Sequence, residues 1–204
     1  MTELKDKDFK VFDLFKNRWA LATAGTLGSF NSCTIGWGSL GTVWATRGKS
    51  GDSVTVYLHP SRYTCEFFRE NDYFTVSFFP EECRKALAYM GAHSGRDGDK
   101  PSACGLTPKA IAAEAADGPA PGAVPFEGGP APEGMKAESV TYEEAELTFL
   151  CRKVCQQPLG RDALSKDIRD YYENAPKAFP VDEDGWHPHW MFIGEIVKTE
   201  DNRD

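Results

Sequence analysis

The segment from Asn31 to Pro80 limits most strictly what this chain can fold into. It opens with the polar, glycine-rich string N-S-C-T-I-G-W-G and continues through an alternating, β-branched run at Ser53–Leu58. A helix is predicted from Ser61 to Glu70, with Ser61 as its N-cap, and a second β-rich run follows at Tyr73–Phe79. Short strands separated by turns and brief helices are typical of a β-rich domain.

The rest of the chain repeats this alternation of short strands and brief helices. Further strands are predicted at Trp19–Ala24, Glu146–Val154 and His189–Val197, and a strand or extended loop at Thr34–Leu40. Further helices are predicted at Lys5–Asn17, Asp162–Glu173 and Pro80–Met90, the last of them stopped by Gly91. This pattern predicts a mainly β fold with short helices, an all-β barrel with helical decoration.

Two of the helices carry apolar residues at spacings that predict one buried face. In the helix that begins near Ser61 these residues are Tyr63, Phe67 and Phe68. In the helix predicted at Asp162–Glu173 they are Leu164, Ile168 and Tyr171. Both helices are therefore expected to pack against the barrel.

The charge balance excludes several classes of partner. The chain has 204 residues, enough for one domain with a core, and a formal net charge of -8. An acidic chain has no electrostatic footprint for nucleic acid or an anionic membrane, although Arg62 and Lys100 can still bind a small phosphate. No apolar run is long enough to span a bilayer, and the N-terminal residues lack the apolar core of a signal peptide. We therefore expect a cytoplasmic protein.

The six cysteines do not form a disulfide scaffold in a chain of this length. Cys151 and Cys155 lie on a predicted strand, where residues four apart are separated by roughly 13 Å, too far for a disulfide. His187 and His189 alone make a weak metal site, because no further Cys or His pair has ligand spacing. We expect free thiols and no metal.

The segment Ala112–Ser139 differs from the rest of the chain. Alanine, glycine and proline dominate it, and aliphatic residues are few. Such a composition cannot bury enough apolar area to offset the entropy cost of ordering the chain. We expect a mobile surface insertion within a single domain that spans residues 1–204.

Residues suited to binding an anion occur in the string that begins at Asn31 and just beyond the following strand. Small hydroxylated residues and glycines let backbone N–H groups approach an anion closely. Arg62 and Thr64 add a guanidinium and a hydroxyl at a predicted helix N-terminus, where the helix dipole favours a phosphate. A second polar group, on a predicted loop, consists of His93, Ser94, Arg96 and Lys100.

These strings, in this order, resemble the flavin reductase-like family of FMN-binding split β-barrels. The matching strings include N-S-C-T-I-G-W-G, P-S-R-Y-T, S-G-R-D-G-D-K, E-E-A-E-L-T-F-L and H-W-M-F-I-G-E-I, within a stretch from about Trp19 to Val197. The resemblance implies a split β-barrel of Greek-key type that binds FMN. It also implies a homodimer, with the flavin near the interface between the two subunits.

The resemblance assigns candidate cofactor-binding residues. They are Asn31, Ser32, Cys33, Thr34, Trp37, Arg62, Thr64, His93, Ser94, Lys100 and His189. It implies that Asn31 and Trp37 approach the isoalloxazine ring, that Arg62 holds the phosphate or ribityl chain, and that Lys100 and His189 lie near the flavin. From the residues alone, Trp37 could instead belong to the core, Lys100 to a solvated charge run, and His189 to a structural contact.

The implied activity is flavin-mediated oxidation and reduction, in which NADH or NADPH reduces FMN and an acceptor takes the electrons. No G-x-G-x-x-G string follows a strand, so a nicotinamide donor would bind only transiently over the FMN. No catalytic residue is assigned, because transfer to flavin needs stacking and orientation more than an acid or base. Two alternatives stay open: a flavoredoxin-like electron-transfer protein served by a protein donor, and a flavin-binding module without turnover.

Overall fold

The computed structural model describes residues 9–46, 49–113, 137–174, 181–182 and 185–203. Its strands are β1 (Ala20–Thr26), β2 (Ser29–Ile35), β3 (Gly38–Thr46), β4 (Lys49–Leu58), β5 (Tyr73–Phe78), β6 (Pro108–Ala112), β7 (Glu138–Tyr142), β8 (Leu147–Pro158), β9 (Val181–Asp182), β10 (Gly185–Trp186) and β11 (Trp190–Asp201). Its α-helices are α1 (Val11–Asp13), α2 (Tyr63–Glu70), α3 (Arg84–Ala92), α4 (Lys100–Cys104) and α5 (Lys166–Glu173). A π-helical turn at Leu14–Arg18 continues α1.

Seven antiparallel strands form a sheet that closes on itself, in the order β2-β1-β5-β8-β11-β4-β3. β2 ends at Ile35 and β3 begins at Gly38, although these strands lie at opposite edges of the sheet. Three chain steps span at most about 11 Å, whereas the edges of a flat seven-stranded sheet lie roughly 29 Å apart. The link at Gly36 and Trp37 therefore requires the sheet to curl, and the predicted barrel is confirmed.

The same link corrects the prediction for Thr34–Leu40. That segment is not one strand or loop but the end of β2, a two-residue break and the start of β3. Gly38 has no space for a side chain, because a Cβ there would lie 2.3 Å from the ring of the buried Phe15. The N-terminal segment thus packs against the chain immediately after the break. Residues 5–8 of the predicted helix at Lys5–Asn17 lie outside the described residues.

Aromatic side chains fill the barrel and fix α2 on it. Phe68 of α2 is fully buried, with its ring 4.8 Å from that of Phe74 and 5.2 Å from that of Phe192. α3 covers a second cluster through Leu87 and Met90. Because burying a large apolar side chain contributes about 1.5–3 kcal/mol, these contacts hold both helices beside β2.

The predicted start of α2 is wrong, and its predicted inner face is confirmed at Phe68 and, in part, at Phe67, which packs against the core. Its N-cap is Arg62 rather than Ser61, because the Ser61 Oγ lies 2.7 Å from Nδ1 of His59 and makes no cap. The buried residues of α2 are Thr64, Cys65 and Phe68, whereas the predicted Tyr63 and Phe67 are only partly buried.

The two other helix predictions also need correction. α3 continues through Gly91 and ends at Ala92, since Gly91 serves close packing rather than termination: a Cβ there would lie 3.1 Å from Cβ of Thr34. In α5 the predicted inner residues Ile168 and Tyr171 are 41% and 64% exposed. That helix instead packs through Tyr172, whose ring stacks on that of Trp186 at 4.9 Å.

The predicted insertion at Ala112–Ser139 is too long at both ends. β6 and β7 pair as an antiparallel hairpin that includes Ala112 and Ser139, and the backbone N–H of Ala113 donates to the Ala137 oxygen at 2.8 Å. Ala137 and Ser139 are buried because β7 covers the barrel, where the Thr75 hydroxyl donates to the Val140 oxygen. Residues 114–136, and the prediction of mobility, lie outside the described residues.

None of the helices within the described ranges is both long and apolar enough to cross a membrane.

Candidate functional site

A cleft opens beside the Gly36–Trp37 link, where β2, β4 and the start of α2 meet. Its larger lobe, of about 390 Å³, is lined by β2, by the first turn of α2 and by the loop that ends at Lys100. Its smaller lobe, of about 160 Å³, is lined by the end of β2, the link, the end of β4 and His189. Cys33 and Arg62 line both lobes, so the two lobes adjoin.

A hydrogen-bonded chain of buried side chains forms the floor of the larger lobe. The Thr64 hydroxyl donates to Oδ1 of Asn31 at 2.7 Å, and the thiol of Cys33 is hydrogen-bonded to Thr64. Burial raises the pKa of Cys33, while Thr64, Lys100 and Arg62 act in the opposite direction. Because burial is the largest of these effects, Cys33 is a neutral thiol near neutral pH rather than a reactive thiolate.

Lys100 extends from the start of α4 to the same floor, with its side chain buried. Its Nζ donates to the backbone oxygens of Ser32 at 2.6 Å and Met90 at 3.2 Å. The pKa of Lys100 is lowered, first by burial, and the Arg62 charge lowers it further. The ammonium therefore joins β2 to the last turn of α3, next to the cleft. Because the Lys100 side chain is buried, it does not belong to a solvated charge run.

Arg62 lies at the N-terminus of α2 and borders both lobes. Its backbone is extended, and Nη1 donates to the Gly91 oxygen at 2.8 Å. The guanidinium is thus held over the cleft while much of the side chain stays exposed. A helix N-terminus with a cation beside it is a favourable place for an anion.

The loop between α3 and α4 forms the outer wall of the larger lobe. The His93 ring stacks on Tyr89 with centroids 3.8 Å apart, and the backbone N–H of Arg96 donates to Oγ of Ser94 at 3.2 Å. Arg96 does not line the lobe, and its guanidinium pairs with Glu66 and covers the Tyr63 ring.

The smaller lobe is walled by aromatic rings. The Trp37 ring centroid lies 4.9 Å from that of His189, which in turn lies 5.3 Å from that of His59. Burial, with nearby positive charge, lowers the pKa of both histidines to about 4. Both imidazoles are therefore neutral at physiological pH. Trp37 remains 48% exposed, so it borders the opening and is not a core residue.

All the candidate residues from the sequence line the cleft except Ser32. Successive side chains of a strand point to opposite faces, so Ser32 points away from its neighbours Asn31 and Cys33. Its hydroxyl lies 2.7 Å from that of Thr23 and 2.6 Å from that of Tyr142, inside the protein. Only the backbone oxygen of Ser32 reaches the cleft floor, through Lys100.

The sequence predictions omitted other residues that line the cleft. The larger lobe also contains Ser61, Tyr63 and Gly95, and the smaller lobe contains Tyr57 and His59. His59 follows a predicted strand directly, which marks an end of the sheet where sites often form. Tyr57 and Gly95 carry no such signal, because only the folded arrangement brings them to the cleft.

The described side chains of the cleft can bind and orient a ligand. Within the described ranges, no group of three or more His, Cys, Asp or Glu residues is placed to hold a metal ion. All six cysteines are free. The larger lobe offers cations and hydroxyls suited to an anionic, hydroxylated ligand, and the smaller lobe suits a flat ring.

No family model matches the sequence, and no curated protein matches it. Solved structures do match over nearly the whole chain. An FMN-binding protein from Thermus thermophilus with bound 1-cyclohex-2-enone is 14% identical with a TM-score of 0.54, covering 99% of this chain and 80% of its own. A flavoredoxin from Methanosarcina acetivorans is 19% identical with a TM-score of 0.53, covering 98% and 74%.

A third match is the FMN-binding domain of a flavin reductase-like enzyme from Shewanella baltica, which is 14% identical with a TM-score of 0.52 and covers 93% of this chain and 72% of its own. At such low identities the likeness concerns the fold. The chain therefore has the split β-barrel fold of the FMN-binding, flavin reductase-like proteins.

Proposed function

We propose that the cleft binds one FMN per subunit and that the protein is a flavin-dependent oxidoreductase. This proposal rests on two adjoining lobes of the cleft. The larger lobe has cationic and hydroxyl donors, and the smaller lobe is walled by aromatic rings. FMN has matching halves, an anionic phosphate on a hydroxylated chain and a flat ring system. The size of the cleft also fits the roughly 300–1,000 Å³ of small-molecule sites.

Residues of both lobes would hold the cofactor. Arg62 and the first turn of α2 supply charge and N–H groups for the phosphate, and Thr64 and Asn31 lie directly behind them. Trp37 and His189 supply flat faces at the smaller lobe. A charged phosphate contact is worth about 1.5–3 kcal/mol, so the larger lobe contributes much of the affinity.

Bound FMN supplies the capacity to take electrons from one partner and pass them to another. The chain contributes electrostatics and orientation. Lys100 places positive charge at the cleft floor, where it stabilises negative charge on a ligand, and its two carbonyl contacts hold it there. The neutral His59 and His189 add polarity to the smaller lobe without adding charge.

NADH or NADPH is the proposed donor, and a small molecule the proposed acceptor. Among the similar structures, the Thermus protein holds a small enone. A second candidate function is electron transfer from a protein donor, as in a flavoredoxin-like protein. It is favoured by the exposed Trp37 at the opening and by the exposed Ile168 and Tyr171 of α5, whose neighbour Tyr172 contacts Trp37. A flavin-binding module without turnover is the third candidate.

We also propose that the protein is a cytoplasmic homodimer. Large apolar side chains are exposed in the single chain, among them Trp44 at 63% and Tyr171 at 64%. Contact with a second copy would remove them from water, with roughly 25 cal/mol gained per Å² of apolar surface. Light scattering on the purified protein measures the molar mass in solution, and a monomer at micromolar concentration would contradict the proposal.

Cofactor titration tests the binding proposal. Purified protein is titrated with FMN and with riboflavin, and flavin fluorescence is followed. We expect one FMN per chain and at least tenfold weaker binding of riboflavin, because riboflavin lacks the phosphate. Equal affinity for both ligands would contradict the placement of the phosphate.

A second titration separates the candidate donors. FMN-loaded protein is mixed anaerobically with NADH, NADPH or a reduced iron–sulfur protein, and bleaching of the flavin absorbance is recorded. Rapid bleaching by a nicotinamide supports the reductase. Bleaching by the iron–sulfur protein alone supports the electron-transfer protein, and no bleaching by any donor supports the module without turnover.

A further inference from the structure

We infer that Gly95 is a positioning residue that fixes the side-chain amide of Asn31 at the cleft. This inference rests on the proposed function for its ligand, FMN. A Cβ built on Gly95 would lie 1.8 Å from Nδ2 of Asn31 and 2.9 Å from its Cγ. Real Cβ contacts essentially never fall below 3.0 Å. The backbone of the loop between α3 and α4 therefore packs directly onto the Asn31 amide.

Space rather than backbone conformation requires glycine at this position. In the same loop, Gly98 has a φ of +149°, a conformation that side-chain-bearing residues rarely adopt. Gly95 does not have a positive φ, so alanine can adopt its backbone conformation. The cost of a side chain at position 95 is therefore the collision with Asn31.

The Asn31 amide cannot move aside without losing its other contact. Its Oδ1 accepts the hydrogen bond of the Thr64 hydroxyl at 2.7 Å, and Thr64 is 1% exposed. A rotation that removed Nδ2 from a methyl at position 95 would break this bond and leave a buried hydroxyl without its acceptor, which is unfavourable. Thr64 and Gly95 thus hold the two ends of one amide.

The loop cannot easily move aside either. Ser94 accepts two backbone N–H groups, from Arg96 to its Oγ and from Asp97 to its backbone oxygen. Arg96 pairs with Glu66 of α2, and Lys100 attaches the far end of the loop to β2. The amide of Asn31 is therefore held between two anchored elements, with its orientation fixed before any ligand arrives.

The test is a double-mutant cycle with a matched glycine control. The variants are Gly95→Ala, Asn31→Ala, the double variant, and Gly28→Ala, where a Cβ would meet nothing within 4 Å. We expect Gly95→Ala to weaken FMN binding by about tenfold, the scale of one lost polar contact. Gly28→Ala should bind FMN as the unmodified protein does.

The double variant decides whether Gly95 acts through Asn31. Removing the Asn31 amide makes room for the new methyl, so the double variant should bind FMN no more weakly than Asn31→Ala alone. If the loss of FMN affinity in the double variant equals the product of the two single losses, the inference is overturned. It is also overturned if Gly95→Ala binds FMN as tightly as the unmodified protein.

Melting temperatures of the flavin-free variants give a readout that needs no ligand. Gly95→Ala should melt at a lower temperature than the unmodified protein, whereas the double variant should melt at nearly the same temperature as Asn31→Ala alone, because the collision is absent once the amide is removed. If the unmodified protein and Gly28→Ala bind no FMN, the proposed function fails, and these melting temperatures still decide the role of Gly95. If Gly95→Ala lowers the melting temperature by the same amount with and without the Asn31 amide, the inference is overturned.

Discussion

Two buried lysines on different sides of α2 perform the same structural task in different surroundings. Lys100 and Lys153 are 5% and 4% exposed, and each donates to backbone oxygens near the C-terminus of a helix. Lys153 binds the oxygens of Phe68 and Arg69 in α2, at 2.7 and 3.0 Å. Lys100 binds Met90 in α3 and also Ser32 in β2.

The difference between the two lysines lies in what surrounds the ammonium. Lys153 is on β8, outside the lining of the cleft, whereas Lys100 lines the larger lobe beside Cys33 and Arg62. Cations complement the negative end of the helix dipole in both places. Of the two lysines, Lys100 alone lines the cleft. Its charge can therefore stabilise the fold and also interact with a ligand.

The largest effect should come from removing the lysine remote from the cleft. Lys153→Met leaves two carbonyls of α2 without their charged donor, and we expect unfolding to become easier by about 3 kcal/mol. FMN affinity of the folded protein should stay within about twofold. Chemical denaturation and FMN titration measure both quantities.

A matched control for this change is Lys166→Met, which removes an exposed lysine that pairs with Asp170. A surface pair contributes about 1 kcal/mol at most, so this variant should be nearly as stable as the unmodified protein. Equal losses for both variants would mean that burial of Lys153 does not matter.

Lys100→Met should change both stability and the cofactor. We expect a loss of about 2 kcal/mol in the free energy of unfolding, because two carbonyls lose a charged donor. Without the positive charge, the potential of bound flavin should fall by tens of millivolts, since about 30 mV corresponds to 1.4 kcal/mol for a two-electron couple.

Redox titration and binding of oxidised FMN on this one variant separate two roles for Lys100. A lower potential with nearly unchanged affinity places the charge near the ring. A strong loss of affinity with an unchanged potential places it near the phosphate. If neither quantity changes, Lys100 resembles Lys153 and acts only on the fold.

Arg62→Ala removes the exposed cation of the cleft and can be compared with Lys100→Met, which removes the buried one. We expect FMN binding to weaken ten- to a hundredfold, from a lost contact of about 1.5–3 kcal/mol, with little change in riboflavin binding. Arg203→Ala is the control, since that guanidinium pairs with Asp201 at the end of β11 and lines neither lobe. Equal losses for FMN and riboflavin would show that Arg62 acts through folding.

Acid should destabilise the folded protein, because His59 and His189 are neutral in the cleft. His59 and His189 have pKa values lowered to about 4 in the folded protein, against 6.5 in the unfolded chain. The unfolded state therefore binds more protons between these values, and stability falls as pH drops from about 6.5 toward 4. Each histidine contributes a slope of at most about 1.4 kcal/mol per pH unit.

His189→Gln removes one titrating group and should flatten this dependence. Melting temperature measured from pH 7 to pH 4 for both proteins provides the comparison. An unchanged slope in the variant would mean that His189 is already charged in the folded protein or equally perturbed when unfolded.

The smallest effect should come from shortening the insertion. Replacing residues 114–136 with a short Gly/Ser linker keeps the β6–β7 hairpin, including the buried Ala137 and Ser139. We expect stability to change by less than about 0.5 kcal/mol and FMN binding to be retained. Replacing all of 112–139 should be clearly worse, because it removes those buried residues.

The sequence predicted the barrel because its strands carry strong periodic patterns. β4 and β5 were both located, since β-branched and aromatic residues alternate at Val54–Leu58 and Tyr73–Phe78. β6 and β7 were missed because they are short and border a stretch whose alanine-rich composition conceals them. The outer end of β11 was missed because its last residues, up to Asp201, are polar.

The cleft was predicted less completely than the fold. Residues in contiguous strings, such as Cys33 and Arg62, were found through the family resemblance. A string does not show which side chains of a strand point toward the cleft, and the Ser32 side chain points away from it. Gly95 and Tyr57 reach the cleft only through tertiary packing, which periodicity does not encode.

The position of β11 in the sheet has a consequence for how the chain is made. β11 pairs with β8 on one side and β4 on the other, so among the described strands it is the one that joins the β3–β4 pair to the rest of the sheet. A ribosome releases the early strands long before β11 exists. Until β11 is made, the β3–β4 pair and the strands β2-β1-β5-β8 lack the strand that pairs with both, and the His189 side of the cleft is completed last. Such long-range pairing is slow, and until β11 is inserted β4 and β8 each leave one edge unpaired, the kind of edge that favours aggregation.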